Sequence, residues 1–261
     1  MSGEAERWLT VAHELADLAD ELTGPAFAHA GFEVAQKADG SAVTEIDLAV
    51  ERRLRAELER RLPGHAVLGE EDGLVGDADA PCWVIDPIDG TTNYVSGNPV
   101  WATLIGVRVD GDEVLGVASA PALGARWDGC VGRGAHRNGT SIRVSEVASL
   151  ADAEVSFGGL HYFEHGGYPG LVADLATQTR RQRGYGDFWQ HCLVASGSTD
   201  LAREAEVNLW DLSAVRAIVE AAGGRLTTLD GRATADGGSA LSSNGRVHAE
   251  ALALVREHRL A

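Results

Sequence analysis

The chain has 261 residues, with 39 Asp or Glu against 22 Lys or Arg and a formal net charge of −17. So acidic a surface repels phosphate backbones and anionic lipid headgroups, which argues against nucleic-acid and membrane partners in the absence of a basic patch. At 44 % hydrophobic residues, a chain of this length can bury roughly 70 % of its extended surface, enough for one large domain or two lobes.

In chain order, Trp8, Val11, Leu15, Leu18 and Leu22 recur at steps of three and four, which predicts a helix from about Glu4 to Thr23, ended by Gly24-Pro25. Trp8 and Leu15 read as core or subunit contacts. Thr44-Glu45-Ile46-Asp47 reads as a capping box opening a second helix, whose face Val50, Leu54, Leu58, Leu62 runs to Pro63-Gly64. The basic runs Arg52 to Arg55 and Arg60-Arg61 fall on it among Glu51, Glu57 and Glu59, a salt-laced face rather than a basic patch.

Short apolar runs follow, Ala66 to Leu68 and Cys82 to Ile85, separated by a polar loop over 72–80. Val100–Val109 and Val114–Ser119 flank Asp110-Gly111-Asp112, a hairpin signal. Gly129 to Gly139 reads as turns, and His161 to Gly170 as a loop near the site. Helices are expected over Phe188–Ser196, Trp210–Ala222 and His248–Arg259, with strands at Arg225–Thr228 and Ala240–Ser242 between the last two. Strands cluster rather than alternating with helices, so the fold class is α+β, without internal repeats.

The most informative stretch is Trp83-Val84-Ile85-Asp86-Pro87-Ile88-Asp89-Gly90-Thr91-Thr92-Asn93. A strand delivers Asp86 at its carboxyl end, Pro87 stiffens the backbone, and Asp89 points into the same mouth. Gly90 allows close backbone approach, and a helical turn starting near Thr91 would leave amides free for a phosphate. Two aspartates about 4 Å apart repel by about 4 kcal/mol at an effective dielectric of 20, a cost that a cation removes. Hard oxygen donors suit Mg²⁺ or Mn²⁺ rather than zinc. Gly69-Glu70-Glu71 and the helix start Trp210-Asp211-Leu212-Ser213-Ala214 add carboxylates to that rim. Taken singly, these acids also read as a solvated turn, a surface turn and an ordinary N-cap.

Together these three segments, in this order and spacing, resemble the inositol monophosphatase superfamily over most of the chain, from about Lys37 to Ser242-Ser243-Asn244. The resemblance implies a layered αβαβα sandwich: a single domain of two lobes, about 1–145 and 146–261, meeting at the metal site. It implies a lithium-sensitive, Mg²⁺-dependent phosphomonoesterase, commonly homodimeric, acting on small phosphate monoesters. Two or three metals are implied, with Mn²⁺ as a substitute. Glu70, Asp86 and the Ile88 carbonyl would hold the first, and Asp86, Asp89 and Asp211 the second. A third, weaker metal would share Glu70, which is counted with Asp47 and Thr91 as catalytic. Asp47 and the Thr91 hydroxyl would orient the attacking water, while Asp89 and the Gly90 and Thr91 amides would cradle the phosphate.

For the leaving group, Asn98 to Gly106, Val117 to Leu123 and Gly184-Tyr185-Gly186-Asp187-Phe188 resemble the histidinol-phosphate phosphatases of this superfamily, particularly the actinobacterial type. Tyr185, Gly186, Asp187, Glu204 and Asp211 are then the substrate contacts. The acids Asp187 and Glu204 suit a cationic leaving group, since a carboxylate gains most from a charged donor. The alternatives are that Asp187 caps the following helix and Glu204 faces water. Arg183 is a candidate partner for a pocket acid. The expected reaction is hydrolysis of L-histidinol phosphate in histidine biosynthesis. A broad inositol, sugar or nucleotide phosphatase competes with it, as does a non-catalytic protein binding metal and phosphorylated metabolites.

Other signals are thin. His161 and His165 have the spacing of a zinc pair but no helical pattern around them, and Gly132-x-Gly134 lacks the remainder of a phosphate loop. No apolar run reaches 18 residues, and Met1 to Glu6 lacks the basic and apolar regions of a secretory signal. Cys82, Cys130 and Cys192, odd in number and far apart, suit reduced thiols, so the expected compartment is the cytoplasm.

Overall fold

The computed structural model describes residues 2–29, 31–37, 42–77 and 79–259, so Met1 of the acidic N-terminus and position 78 of the expected 72–80 loop lie outside it. Helix α1 (Ser2–His29) runs through Pro25 rather than stopping at Gly24. Proline withholds one N–H, and tertiary contacts hold the last turn. Phe27 packs 5.4 Å from Tyr94 and 5.3 Å from Trp101, and the Tyr94 hydroxyl donates to the Thr23 carbonyl at 2.8 Å. A small hairpin, β1 (Val34–Gln36) and β2 (Ala42–Thr44), leads into α2 (Glu45–Arg61), which opens with the expected Thr44/Asp47 capping box.

Eight strands then form one sheet. They are β3 (Ala66–Gly69), β4 (Gly73–Val75), β5 (Cys82–Asp89), β6 (Ala102–Val109), β7 (Asp112–Ala120), β8 (Ala125–Cys130), β9 (Gly134–Arg137) and β10 (Thr140–Ile142), in the order β10-β9-β8-β7-β6-β5-β3-β4. The short helix α3 (Thr91–Val95) follows β5. Two stretches expected as loop or turns are therefore partly strand. Gly73–Val75 pairs antiparallel with β3, and the glycine-rich segment contributes the end of β8 and all of β9, because pairing with a neighbouring strand satisfies backbone that carries little apolar pattern.

The second sheet has the order β12-β11-β13-β15-β14, from β11 (Glu154–Phe157), β12 (Arg181–Arg183), β13 (Leu201–Glu204), β14 (Arg225–Thr227) and β15 (Ala240–Ser243). Strands β11 and β13 carry no period-two signal: both are four-residue strands, and β13 buries Arg203 and Glu204 beside Leu201 and Ala202. Helices α4 (Leu160–His165), α5 (Leu171–Gln178), α6 (Asp187–Ala195), α7 (Leu209–Ala221) and α8 (His248–His258) complete the chain. The expected loop at 161–170 thus begins as a helix, too short for its periodicity to be read, bounded by Gly159 and Gly166.

Side-chain alternation sets the layers. Trp83, Ile85, Ile105, Val107, Leu115 and Val117 face α1 and α2, while Leu104, Ala118 and Trp127 face α6 and α7. Those two helices are covered on their other side by the second sheet, and α4, α5 and α8 close its far face. The result is the expected αβαβα sandwich. Helix α7 is buried from Leu212 to Val219 because it lies between two sheets.

Its seat is a row of glycines. Gly106, Gly116 and Gly129 are cross-strand partners on β6, β7 and β8. A Cβ at Gly116 would overlap the Ala214 carbonyl, and one at Gly129 would lie 2.7 Å from Ile218 Cα. Gly116→Ala should therefore lift α7 and destabilise the fold by about 1–3 kcal/mol. A melting temperature unchanged in calorimetry would show that the trough has slack.

Candidate active site

Residues Asp86 and Asp89 reach the same side of the sheet through a β-bulge. Asp86 pairs with Leu104 and Asp89 with Ala102, so three steps on β5 oppose two on β6. In a regular strand, positions three apart face opposite ways; the extra residue restores them to one face. Pro87, which cannot donate to the ladder, occupies the bulge, and its carbonyl accepts from Thr103 Oγ1 at 2.8 Å.

Four helix starts converge on this point. Asp47 is the third residue of α2, and its Oδ2 accepts from the Thr44 N–H at 2.8 Å and the Thr44 hydroxyl at 2.6 Å. Asp211 holds the same position in α7, its Oδ2 accepting from the Asn208 N–H at 2.7 Å, so it is not the N-cap itself. Helix α6 has no side-chain cap of its own; Asp89 Oδ2 supplies one from across the molecule, accepting from the Phe188 N–H at 2.7 Å. Helix α3 begins at Thr91 after Gly90, whose φ of 80° and whose missing Cβ, which would lie 2.9 Å from the Val100 carbonyl, both demand glycine. The positive helix ends offset part of the negative charge gathered there.

Ligand atoms of Asp86, Asp89 and Asp211 lie within 4.8 Å of one another. At that separation two carboxylates repel by about 3–4 kcal/mol at an effective dielectric of 20. Burial first, then Glu70, Asp89, Asp211 and Asp47 around it, pushes the Asp86 carboxyl well above the usual range. Burial and the charges of Asp187 and Asp211 do the same to Asp89. Burial, with the charges of Glu70 and Asp187, lifts Asp211 to about 7. The three ligand groups are all carboxylate oxygens, the chemistry of a hard-cation site, so the residues fit a divalent metal.

Glu70 follows β3 and lies on the same rim, with its Oε1 accepting from Lys37 Nζ at 2.6 Å; Glu71 accepts from the same ammonium at 2.8 Å. The Ile88 carbonyl accepts from Thr91 Oγ1 at 2.9 Å. That hydroxyl stands 3.5 Å from Asp47 Oδ1, so Asp47 and Thr91 do meet, 44 residues apart. Burial raises the Asp47 carboxyl against the lowering effect of its Thr44 hydrogen bonds.

A cleft of about 500 Å³ continues from these carboxylates between the two sheets. Tyr185, Gly186, Asp187, Glu204 and Asp211 all line it. Asp187 has φ of 48°, a left-handed conformation that Asp tolerates, and its Oδ2 accepts from Asn93 Nδ2 at 2.7 Å. It is the first residue of α6 and not its cap, and burial raises its carboxyl to about 6. Glu204 is buried rather than facing water. It accepts from Gln190 Nε2, and a Cβ at Gly158 would overlap its carboxylate. Burial and the charges of Asp187 and Asp211 push it well above the usual range.

Several lining residues escaped the sequence reading, among them Tyr162, Glu206 and His191. His191 Nδ1 lies 2.6 Å from Ser242 Oγ, and burial lowers it to about 4, so it lines the cleft as a neutral ring. None of the three sits in a motif; Asn93, at the end of the Asp86 stretch, and Asn98, at the start of the 98–106 segment, are lining residues that a motif did carry. Arg183 does not pair with a pocket acid: it is exposed, and its Nη1 donates to the Gln182 carbonyl at 2.7 Å. The His161 ring lies tilted by 40° against Tyr162, with ring centroids 3.8 Å apart. Among the described residues, no helix is long and apolar enough to cross a membrane.

Known proteins resemble this chain in sequence and fold. The sequence profile of the inositol monophosphatase family matches residues 4–260. A histidinol-phosphatase of Mycobacterium tuberculosis is 45 % identical over 249 residues, covering 94 % of this chain and 96 % of its own. One of Streptomyces coelicolor is 44 % identical over 258 residues, covering 95 % and 97 %. The solved structure of an IMPase from Thermotoga maritima superposes with a TM-score of 0.85 at 31 % identity, covering 97 % of each chain. With residues 4–260 matched and its carboxylates gathered at one cleft, the chain belongs to the inositol monophosphatase family and is a phosphoric monoester hydrolase.

Proposed function

We propose that this phosphatase hydrolyses L-histidinol phosphate to L-histidinol and phosphate, as a step of histidine biosynthesis, with Mg²⁺ as its cation. The observation that carries the substrate is the charge of the cleft. Asp187, Glu204 and Glu206 line it together with Tyr162 and Tyr185, and no Lys or Arg is among its described lining residues. The Asp187 and Glu204 carboxyls, whose affinity for a proton burial raises, are best served by an ammonium or imidazolium, so the pocket favours a cationic leaving group. The two histidinol-phosphatases at 44–45 % identity support the same reading.

In this reading Glu70, Asp86, the Ile88 carbonyl, Asp89 and Asp211 hold two or three ions. When bound, Mg²⁺, or Mn²⁺ in its place, supplies Lewis acidity toward the phosphoryl oxygens and neutralises their charge. The Gly90 and Thr91 amides, free at the start of α3, take the phosphate. The Thr91 hydroxyl turns its proton to Asp47 Oδ1, and its oxygen accepts from the attacking water, which it aligns with the phosphorus. The cytoplasm and a homodimer complete the proposal; the three cysteines are free thiols, in keeping with a reducing compartment.

Phosphate release with Mg²⁺, measured across histidinol phosphate, inositol-1-phosphate and fructose-1,6-bisphosphate, tests the substrate. The highest kcat/KM is expected on histidinol phosphate, and a preference for inositol-1-phosphate would overturn the reading. Asp187→Asn should lower kcat/KM for histidinol phosphate by about 10- to 100-fold, the worth of a hydrogen bond to a charged group, and should affect a neutral ester much less. Equal losses on both would make Asp187 a structural residue.

A further inference from the structure

Helix α2 bears a second buried carboxylate, one turn beyond Asp47. Glu51 is 0 % exposed. Its Oε2 accepts from the Glu71 N–H at 2.9 Å, and its Oε1 from the Asp72 N–H at 3.0 Å. Arg55, one turn further along, donates from Nε to Glu51 Oε1 at 2.8 Å. The same guanidinium reaches the Val67 carbonyl within β3 at 3.3 Å and the Gly73 carbonyl, at the start of β4, at 2.5 Å.

That turn is Glu70-Glu71-Asp72, three acids in a row between paired Gly69 and Gly73. Consecutive carboxylates repel; the Lys37 ammonium offsets the charge of Glu70 and Glu71 at their tips, and the backbone of the turn is held by Glu51. Gly69 has no side chain because the Glu51 carboxylate occupies the place of its Cβ. A buried carboxylate is costly unless it is paired and fully hydrogen-bonded, and here both its oxygens are spent on the backbone just after Glu70.

We infer that Glu51, braced by Arg55, is a positioning residue that fixes the turn carrying Glu70 and so sets the affinity of the cation site. Helix α2 then links two parts of the site, Asp47 beside Thr91 and the Glu70 turn, through one rigid element. The inference rests on the reading that Glu70 helps hold the cation. Partners of this kind, which orient a ligand without touching the metal, are worth about 10- to 100-fold in metal affinity.

The experiment measures Mn²⁺ binding to the substrate-free chain by electron paramagnetic resonance, alongside the melting temperature and kcat and KM at saturating metal. Glu51→Gln keeps the shape but replaces one acceptor with a donor facing a backbone N–H. It should weaken Mn²⁺ binding about tenfold or more, with KM for the ester at saturating metal unchanged. Arg55→Gln, at a partly exposed position, should shift binding in the same direction, and it serves if Glu51→Gln does not fold. Glu70→Gln separates the two levels. If it weakens Mn²⁺ binding and the folded Glu51 and Arg55 variants do not, however far their melting temperatures fall, the positioning role is overturned. If Glu70→Gln leaves binding intact, the assignment of Glu70 falls and the inference with it.

Discussion

Asp89→Asn should remove turnover while leaving the fold in place. Asparagine keeps an oxygen that can accept the Phe188 N–H, so the cap on α6 survives. What goes is one of three carboxylates whose ligand atoms lie within 4.8 Å. An amide is a poor donor to a hard divalent cation beside a phosphate, and kcat should fall by on the order of 10³-fold or more. The stability of the metal-free protein should move the other way. Removing one of several mutually repelling buried charges lowers the electrostatic strain of the site, so the metal-free melting temperature should hold or rise, and the increment on adding Mg²⁺ should shrink. Near-native activity in the variant would overturn the metal assignment.

Chelation should abolish activity, and it should expose a pH dependence whose sign follows from the site. Burial raises Asp187 to about 6, and burial with the charges of Glu70 and Asp187 raises Asp211 to about 7, against 3.8 in an ordinary environment. Between roughly pH 4 and pH 7 the folded chain therefore keeps protons that the unfolded chain has released. Stability falls with rising pH wherever the native state binds more protons. For Asp211 this stability is present near pH 4 and lost as pH rises through 7. Calorimetry without metal should show the melting temperature dropping from pH 5 to pH 8. Mg²⁺ should restore it at pH 8, where the carboxylates are ionised, and do little at pH 5, where protons occupy the same oxygens. A metal-free melting temperature that rises over this range, or equal Mg²⁺ increments at both ends, would contradict the electrostatics described above.

The parts of the site that sequence reading located are those built by local chemistry. The Thr44/Asp47 capping box joins residues three apart, and the short helix at Thr91 follows from a glycine that must adopt positive φ. Asp211 was found at a helix start, although its place is the third residue and its cap is Asn208. Substrate-side Asp187 and Glu204 were singled out by resemblance, and their burial could not be read from residues flanked by charge and glycine.

Other features depend on partners far along the chain. Helix α1 outlasts Pro25 because Tyr94 and Trp101 pack on its last turn. The glycines at 106, 116 and 129 read as ordinary strand glycines until register aligns them under α7. Glu51 reads as one more acid on a salt-laced helix face, yet it is buried against the turn that bears Glu70.

By itself, then, the sequence determined which acids gather, the αβαβα class through its resemblance, and the helix starts that carry Asp47 and Asp211. The tertiary structure decided that Asp86 and Asp89 share a face, since one bulged residue on β5 cancels the alternation of a strand. It also decided that Asp89 caps a helix 99 residues away and that the cleft beyond holds acids without a lysine or arginine among its described walls. The physical reason is range. Capping and turn chemistry act over three or four residues, whereas register, burial and the pairing of like charges exist only once distant strands and helices have packed.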